Sequence, residues 1–339
     1  MKNKKRLAIL LATYNGGQYL KEQLDSLLAQ SYKDFAIYIS DDSSKDNTIE
    51  IVEEYQKNYP ETIINIENTK KFGSAKGNFL NLAKSVESEL YIFCDQDDVW
   101  LPNKFEELVN RYDQEKTTEV PVVVYSDSKV VDSNLNVLYE SFIKYMGFKA
   151  NKKNLKFRLL RNDVAGCTML CNSKLIEAYK KVADQIDEKA IMMHDYFFVQ
   201  IAAVYGQVYF VDKPLMLYRQ HGNNSVGITG YKEILDNRTP EMANVDETHQ
   251  QVKEVLKIQL PVEAKRKKIV NKFLTLKDKG SVGRQIFFVL NDYQFFPGFR
   301  NISVLVNLFP RNNWFRKILR GTKNLVTGQK RGGLSFFSW

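Results

Sequence analysis

Apolar residues along the chain fall in short blocks separated by polar turns, and their spacing changes from block to block. Leu7 to Ala12 has no polar break and reads as a buried strand. After the polar loop Thr13 to Gly17, the residues Leu20, Leu24, Leu27 and Leu28 mark one face of a helix ending near Ser31. Phe35 to Ser40 predicts a second strand, closed by Asp41-Asp42-Ser43-Ser44. Thr48 to Gln56 predicts a helix with Ile49, Val52 and Tyr55 inward and Ser44, Asp46 or Asn47 at its cap. A third strand is expected over Thr62 to Glu67. A basic, glycine-containing loop, Lys70 to Gly77, then leads to a helix carrying Phe79, Leu82, Ala83 and Val86. The fourth strand, Leu90 to Cys94, ends abruptly in Asp95-Gln96-Asp97-Asp98.

Strands that alternate with helices in this way demand an α/β fold with a mostly parallel sheet and right-handed crossovers. Further on, the pattern gives a strand near Val122 to Tyr125, helices over Lys174 to Ile186 and Asp195 to Tyr205, and a strand from Gln207 to Val211. From about Tyr231 it turns helical and charged, broken by Pro240 and Pro261. The expected division is an α/β domain over 1–230 and a helical C-terminal region over 231–339. No internal repeat is visible. With 339 residues, 44% of them hydrophobic and 26% charged, the chain has the means to build a full core.

The net charge of +9 is unevenly spread. No acidic residue follows Asp292, whereas Arg300, Arg311, Arg316, Lys317, Arg320, Lys323, Lys330 and Arg331 are basic. The same tail carries Phe295, Phe296, Phe299, Phe309, Trp314, Phe315, Phe336, Phe337 and Trp339. Cationic and aromatic residues together suit an anionic membrane surface. Nucleic acid is the competing partner for such a patch, but no recognition motif accompanies it, so none is expected. An oligomer interface is the other reading of the helical region. The N-terminal run Leu7 to Ala12 is too short for a signal peptide, and no stretch approaches the ~20 apolar residues of a spanning helix. The expected location is therefore cytoplasmic, peripheral on the inner face of the plasma membrane. Cys94, Cys167 and Cys171 read as buried free thiols, and Cys167 and Cys171 lack the partners of a zinc site.

The chemistry centres on strand ends. Three polar clusters follow successive strands: Thr13-Tyr14-Asn15, Asp41-Asp42 and Asp95-Gln96-Asp97. In a doubly wound sheet such clusters converge along one edge, where ligands bind. Crowded carboxylates repel unless a cation sits among them, and hard oxygen ligands suit Mg²⁺ or Mn²⁺ with substrate phosphates completing the shell. A carboxylate after the second strand can accept the imide N–H of uracil or thymine, and Tyr14 can stack on the base. The bland alternative for a D-x-D is an acidic turn that keeps a strand end soluble. No G-x-G-x-x-G or glycine-lysine phosphate loop is present, which disfavours dinucleotide and phosphate-loop ATPase folds.

The ordered segments A-T-Y-N, S-D-D-S-S, D-Q-D-D-V-W, M-H-D and Y-R-Q-H-G-N-N resemble those of an inverting family 2 glycosyltransferase of the GT-A fold. The D-Q-D-D-V-W and Y-R-Q-H-G-N-N forms are similar to those of bacterial polysaccharide rhamnosyltransferases, and the resemblance covers about residues 5 to 228. It implies that Thr13, Tyr14, Asn15 and Asp42 line the base and ribose, that Asp95 lies on the ribose or diphosphate side, and that Asp97 holds the metal. His221 matches a position that supplies a second metal ligand or a phosphate contact, or else is a loop histidine bonded to backbone. Asp195 matches the catalytic base, and His194 stands where the family commonly has Glu. Asp195 is equally placed to cap the helix after it. Lys76 and Arg219 are candidate diphosphate contacts, against a salt bridge or solvent. Gly166 is a candidate acceptor-side approach, against a bulge, and Trp100 a sugar platform, against core.

The resemblance thus implies transfer of a sugar, with dTDP-L-rhamnose as donor, to a lipid-linked saccharide in cell-wall or capsule polysaccharide synthesis. Two readings compete with it. One is a haloacid-dehalogenase-like phosphatase with Asp95 as nucleophile and Asp97 as acid, although three strand–helix units precede its signature. The other is a non-catalytic binder working through the basic tail, which leaves the ordered carboxylates unexplained.

Overall fold

β1 (Leu7–Thr13) is buried along its whole length, and its side chains alternate between two cores. Ala8, Leu10 and Ala12 join one, while Leu7, Ile9 and Leu11 join the other. Helices cover both faces of the sheet, so a central strand is apolar throughout rather than alternating. The computed structural model describes residues 4–68, 70–115, 118–146, 148, 155–221 and 245–275.

The N-terminal half follows the expected order closely: α1 (Leu20–Leu28), β2 (Phe35–Asp41), α2 (Thr48–Asn58), β3 (Ile63–Asn65), α3 (Ala75–Ser85) and β4 (Leu90–Cys94). Helix α2 turns Thr48, Ile51 and Val52 inward, leaving Ile49 and Tyr55 half-buried. Ser74 caps α3, accepting the Gly77 N–H at 3.1 Å. Then come β5 (Val99–Trp100), α4 (Lys104–Glu115), β6 (Val122–Val131), β7 (Val137–Tyr139), α5 (Phe142–Tyr145) and α6 (Leu155–Leu160). A 3₁₀ turn over Gly166–Thr168 leads into β8 (Met169–Asn172), followed by α7 (Ser173–Lys180), α8 (His194–Tyr205) and β9 (Gln207–Arg219).

The sheet runs in the order β3-β2-β1-β4-β8-β6-β9-β5, with β7 paired to β6. β1 to β4 are parallel, and β6 and β9 are parallel to each other. The sheet departs from a plain parallel one at its short edge pairs, β5 with β9 and β7 with β6, and centrally at β8, which lies between β4 and β6 and is antiparallel to both. Its reversal has a geometric result: the turn that precedes it stands beside the carboxyl end of β4, not at the far edge.

Of the region expected to follow residue 230, the described part is two helices. Val252 and Val255 of α9 (Val245–Leu256) and Val270 and Phe273 of α10 (Ala264–Leu274) share one core with Phe197 and Ile201 of α8. These helices are amphipathic, and their apolar stripe is covered by that core. No helix among the described residues is long and apolar enough to cross a membrane. The expected loop Gly222 to Gly230 and the basic, aromatic tail beyond Asp292 lie outside the described residues.

Candidate active site

Because β1, β2 and β4 are parallel, the loops after them meet on one edge. Thr13 pairs with Asp41 in register, and the Asp42 N–H donates to the Thr13 carbonyl at 2.9 Å. Side chains then tie the loops together. The Thr13 hydroxyl donates to Asp41 Oδ2 at 2.7 Å, and the Lys45 N–H to Asn15 Oδ1 at 2.8 Å. Asn15 holds a left-handed φ of 47°, a conformation asparagine tolerates. Asp42 is buried and accepts the N–H groups of Phe72 and Gly73 at 2.5 and 2.7 Å, which fixes the basic loop before α3. Gln96 bridges back to the first loop: its Oε1 accepts the Tyr14 N–H at 2.8 Å and its Nε2 donates to the Tyr14 carbonyl at 3.0 Å. A Cβ at Gly16 would lie 2.1 Å from that Oε1, so a side chain there would displace the Gln96 amide from Tyr14. The Tyr14 ring itself remains 47% exposed, with Lys71 Nζ 4.8 Å from its centre.

The acidic loop after β4 sorts its carboxylates by burial. Asp95 has its pKa pushed up to about 7, first by burial and then by the charges of Asp97 and Asp195. Those three carboxylates therefore face one region. Asp97 stays partly open, and its Oδ2 lies 2.9 Å from His221 Nε2, just past the end of β9. Asp98 is 0% exposed; its Oδ1 accepts the Arg219 N–H at 3.0 Å, and its Oδ2 has no hydrogen-bond partner among the described residues. Burial first, and the charges of Asp97 and Asp95 next, hold its pKa well above the usual carboxylate range.

Asp195, whose charge acts on Asp95, stands in the first turn of α8. Its Oδ2 accepts the Gly166 N–H at 3.1 Å and its Oδ1 the Tyr196 N–H at 2.5 Å. Burial nevertheless raises its pKa to about 7, against the lowering effect of both N–H donors. The reversed strand β8 is what brings Gly166 to this place. A Cβ there would lie 2.6 Å from His194 Nε2, so the lack of a side chain makes room for the imidazole. His194 is buried, with its ring 4.2 Å from Phe79 and 5.1 Å from Phe93, and neither ring nitrogen has a partner among the described residues. Burial drops its pKa to about 3, so it is neutral at working pH.

With this geometry in place, comparisons with known proteins are specific. The family model described as glycosyl transferase family 2 matches residues 8–178. The chain belongs to glycosyl transferase family 2. It is 34% identical over 223 residues to dTDP-rhamnosyl transferase RfbG of Shigella flexneri, covering 64% of this chain and 73% of that protein. It is 31% identical over 206 residues to the glycosyltransferase RT0329 of Rickettsia typhi, covering 59% and 60%. Among solved structures, S. aureus TarS 1–349 superposes with a TM-score of 0.57 at 17% identity, over 96% of this chain and 93% of that one. A likeness at that identity shows the fold, here the GT-A arrangement expected from the motifs.

As a glycosyltransferase, the chain has no use for the phosphatase and simple-binder readings, and several site residues take other parts than expected. Trp100 is 2% exposed and packs edge-on to Phe105 with ring centres 5.8 Å apart, so it is core and offers no sugar platform. Arg219 is buried: it donates to the carbonyls of Asp97 and Ser133 at 2.8 and 2.7 Å and pairs with Glu22, locking the acidic loop to β9. Lys76 donates to the carbonyls of Glu188 and Ile191 at 2.8 and 2.5 Å, holding the segment before Asp195. Gly166 lies against His194 and Asp195.

Residues of this glycosyltransferase that the sequence reading passed over support the same segment. Gln251 Oε1 accepts the Met192 N–H at 2.7 Å, and Glu254 Oε2 the Asp187 N–H at 2.9 Å. Nothing local announces either role, because α9 follows a long separation in sequence. Asp98 was visible as the last acid of D-Q-D-D, and its burial was not. The ligand-type atoms of Asp95, Asp98 and Cys167 lie within 4.8 Å of one another. Burial keeps the Cys167 thiol protonated, and a thiol does not suit Mg²⁺ or Mn²⁺. The partly open Asp97 and His221, with Asp95 beside them, fit such an ion better.

Proposed function

We propose that this glycosyltransferase moves L-rhamnose from dTDP-L-rhamnose, with inversion and with Mg²⁺ or Mn²⁺, to a lipid-linked saccharide in cell-wall or capsule polysaccharide synthesis. The similarity to a protein named dTDP-rhamnosyl transferase carries the choice of donor. Metal dependence is supported by the Asp97–His221 pair beside Asp95. A bound divalent ion would neutralise the charge that grows on the departing nucleoside diphosphate.

The chain's own residues would do the rest. The exposed Tyr14 ring stacks on the base, while Thr13, Asn15 and Asp42 hold the loops that shape the nucleotide pocket. Asp195 takes the proton from the acceptor hydroxyl as that oxygen attacks the anomeric carbon from behind. Its pKa near 7 suits a base at neutral pH, where it is substantially ionised yet basic enough to accept a proton. No covalent sugar–enzyme intermediate is needed. The neutral His194 leaves Asp195 as the titrating group of the pair. The basic tail would place the enzyme on the inner face of the plasma membrane, where a lipid-linked acceptor is presented; a homo-oligomer interface is the other use of that region.

The test is a panel of dTDP-L-rhamnose, UDP-glucose, UDP-N-acetylglucosamine and GDP-mannose with Mn²⁺, following slow release of the nucleotide. Faster release from dTDP-L-rhamnose supports the donor; preference for another nucleotide-sugar removes the rhamnose assignment.

A further inference from the structure

Lys104 opens α4 and is 0% exposed, yet nothing in the proposed reaction uses it. Its Nζ donates to the Cys167 carbonyl at 2.5 Å, lies 3.3 Å from Met216 Sδ, and sits 3.2 Å from the centre of the Trp100 ring. Removing an ammonium from water is costly, and breaking a buried charge system is costlier than replacing it with apolar groups. A lysine that only filled space would be better replaced by methionine. Its hydrogen-bond acceptor shows what the charge secures. Cys167 is the middle residue of the Gly166–Thr168 turn, closed by Thr168 N–H and Oγ1 donating to the Ala165 carbonyl at 2.9 and 2.7 Å. The first residue of that turn donates its N–H to Asp195. A continuous path therefore runs from the buried ammonium, through one carbonyl and one short turn, to the carboxylate facing the acceptor.

We propose that Lys104 is a positioning residue for glycosyl transfer: its buried ammonium anchors the Gly166–Thr168 turn, and the turn orients the Asp195 carboxylate. This inference rests on the reading of Asp195 as the base. Trp100 gains a role by the same route, since its ring face and Met216 form the remaining walls of the ammonium's cage. The rival explanation is charge balance alone, with Lys104 present only to offset the buried Asp98.

The full chain carrying Lys104→Met, and the double variant Lys104→Met with Asp98→Asn, separate the two. The double variant removes the ammonium and the buried carboxyl together while Asn can still accept the Arg219 N–H. Nucleotide release from dTDP-L-rhamnose with MnCl₂ is measured per nucleotide-binding site, the sites being counted by calorimetric titration with dTDP. That normalisation removes any loss of folded protein. Positioning predicts that release per site falls about 10- to 100-fold in both variants, with dTDP affinity within about threefold of wild type. Release per site in the double variant within about threefold of wild type would overturn the inference, because neutralising the pair would then suffice. If the single variant fails to fold, the double decides. A double variant that also fails to fold overturns the inference, since positioning predicts a folded protein that has lost turnover. Asp195→Asn is measured alongside: full turnover there removes the base reading itself, whereas inactive Asp195→Asn beside active Lys104 variants removes the positioning role alone.

Discussion

His221 Nε2 lies 2.9 Å from Asp97 Oδ2, joining the end of β9 to the loop after β4 across 124 positions of sequence. Both side chains are partly open, so the pair can exchange its mutual contact for a shared cation. Asp97→Ala should lose metal-dependent donor binding, and His221→Ala should weaken it, each by roughly tenfold or more in apparent Mn²⁺ affinity. Titrating Mn²⁺ against nucleotide binding measures this directly. Unchanged curves for Asp97→Ala would end its assignment as a ligand.

Activity should depend on pH through Asp195. A base acts only when ionised, and burial has raised this carboxyl to about 7. Turnover should therefore fall about tenfold for each pH unit below 7 and level off above it. Asp195→Asn should abolish transfer and leave nucleotide binding in place. A turnover profile flat from about pH 5 to about pH 9 would exclude Asp195 as the limiting base.

The same shifts bear on stability without metal. Asp95 and Asp195 each rise from 3.8 to about 7 on folding, so the folded protein holds protons that the unfolded chain has released. That contribution is complete below the unfolded value and is lost as pH rises through 7. His194 works in the opposite direction below its ordinary 6.5, because burial keeps it from taking a proton until about 3. The clean window is thus about pH 6.5 to 7.5, below the range where buried Lys104, lowered to about 8, acts in the opposite direction, and there the melting temperature in EDTA should fall as pH rises. Saturating Mn²⁺ should flatten the slope, since a cation favours the ionised carboxylates. A melting temperature that climbs across this window in EDTA would contradict the assigned shifts.

How much of this was legible in the sequence differs by element. Leu90–Cys94 was read to the residue, because a strand buried on both faces is apolar throughout and its acidic end is abrupt. β9 was expected to stop at Val211 and runs to Arg219, since Asp212, Lys213 and Pro214 interrupt the apolar pattern where the strand shifts register against β6. β6 passes Tyr125 for the same reason, through the buried polar residues Ser126, Asp127 and Ser128. Direction was invisible in β8: three apolar residues and an asparagine do not say which way they run, yet that reversal brings Gly166 to Asp195. The motifs named Asp95, Asp97, Asp195 and His221, which the fold brings together. Their partners were not legible, because Lys76, Arg219 and Gln251 each bond to groups far away in sequence.

Gly166→Ala tests the close packing beside Asp195. The new methyl would start 2.6 Å from His194 Nε2, and the imidazole has Phe79 and Phe93 against it. Something must shift, and the nearest movable part is the turn that donates to Asp195. Overpacking of this kind costs about 1–3 kcal/mol, and a displaced carboxylate loses turnover well beyond the loss of stability. Melting temperature and turnover per nucleotide-binding site are the two readouts, and normal turnover in a folded Gly166→Ala protein would contradict the tight placement.

Tyr14 and Trp100 should respond to truncation in opposite ways. Tyr14 is exposed at the edge where nucleotide is expected, so Tyr14→Ala should leave the melting temperature within about a degree while weakening nucleotide binding by about 1–3 kcal/mol of stacking. Trp100 is core, walled by Phe105 and the Lys104 ammonium, so Trp100→Ala should cost about 3–5 kcal/mol of stability. Trp100→Phe should recover most of that stability, because it keeps a ring face for the ammonium and gives up an indole N–H that has no partner among the described residues. Thermal unfolding and dTDP titration on the three variants check both assignments. A stable Trp100→Ala protein with weakened sugar binding would restore the tryptophan to the substrate surface and displace the core assignment made from its burial.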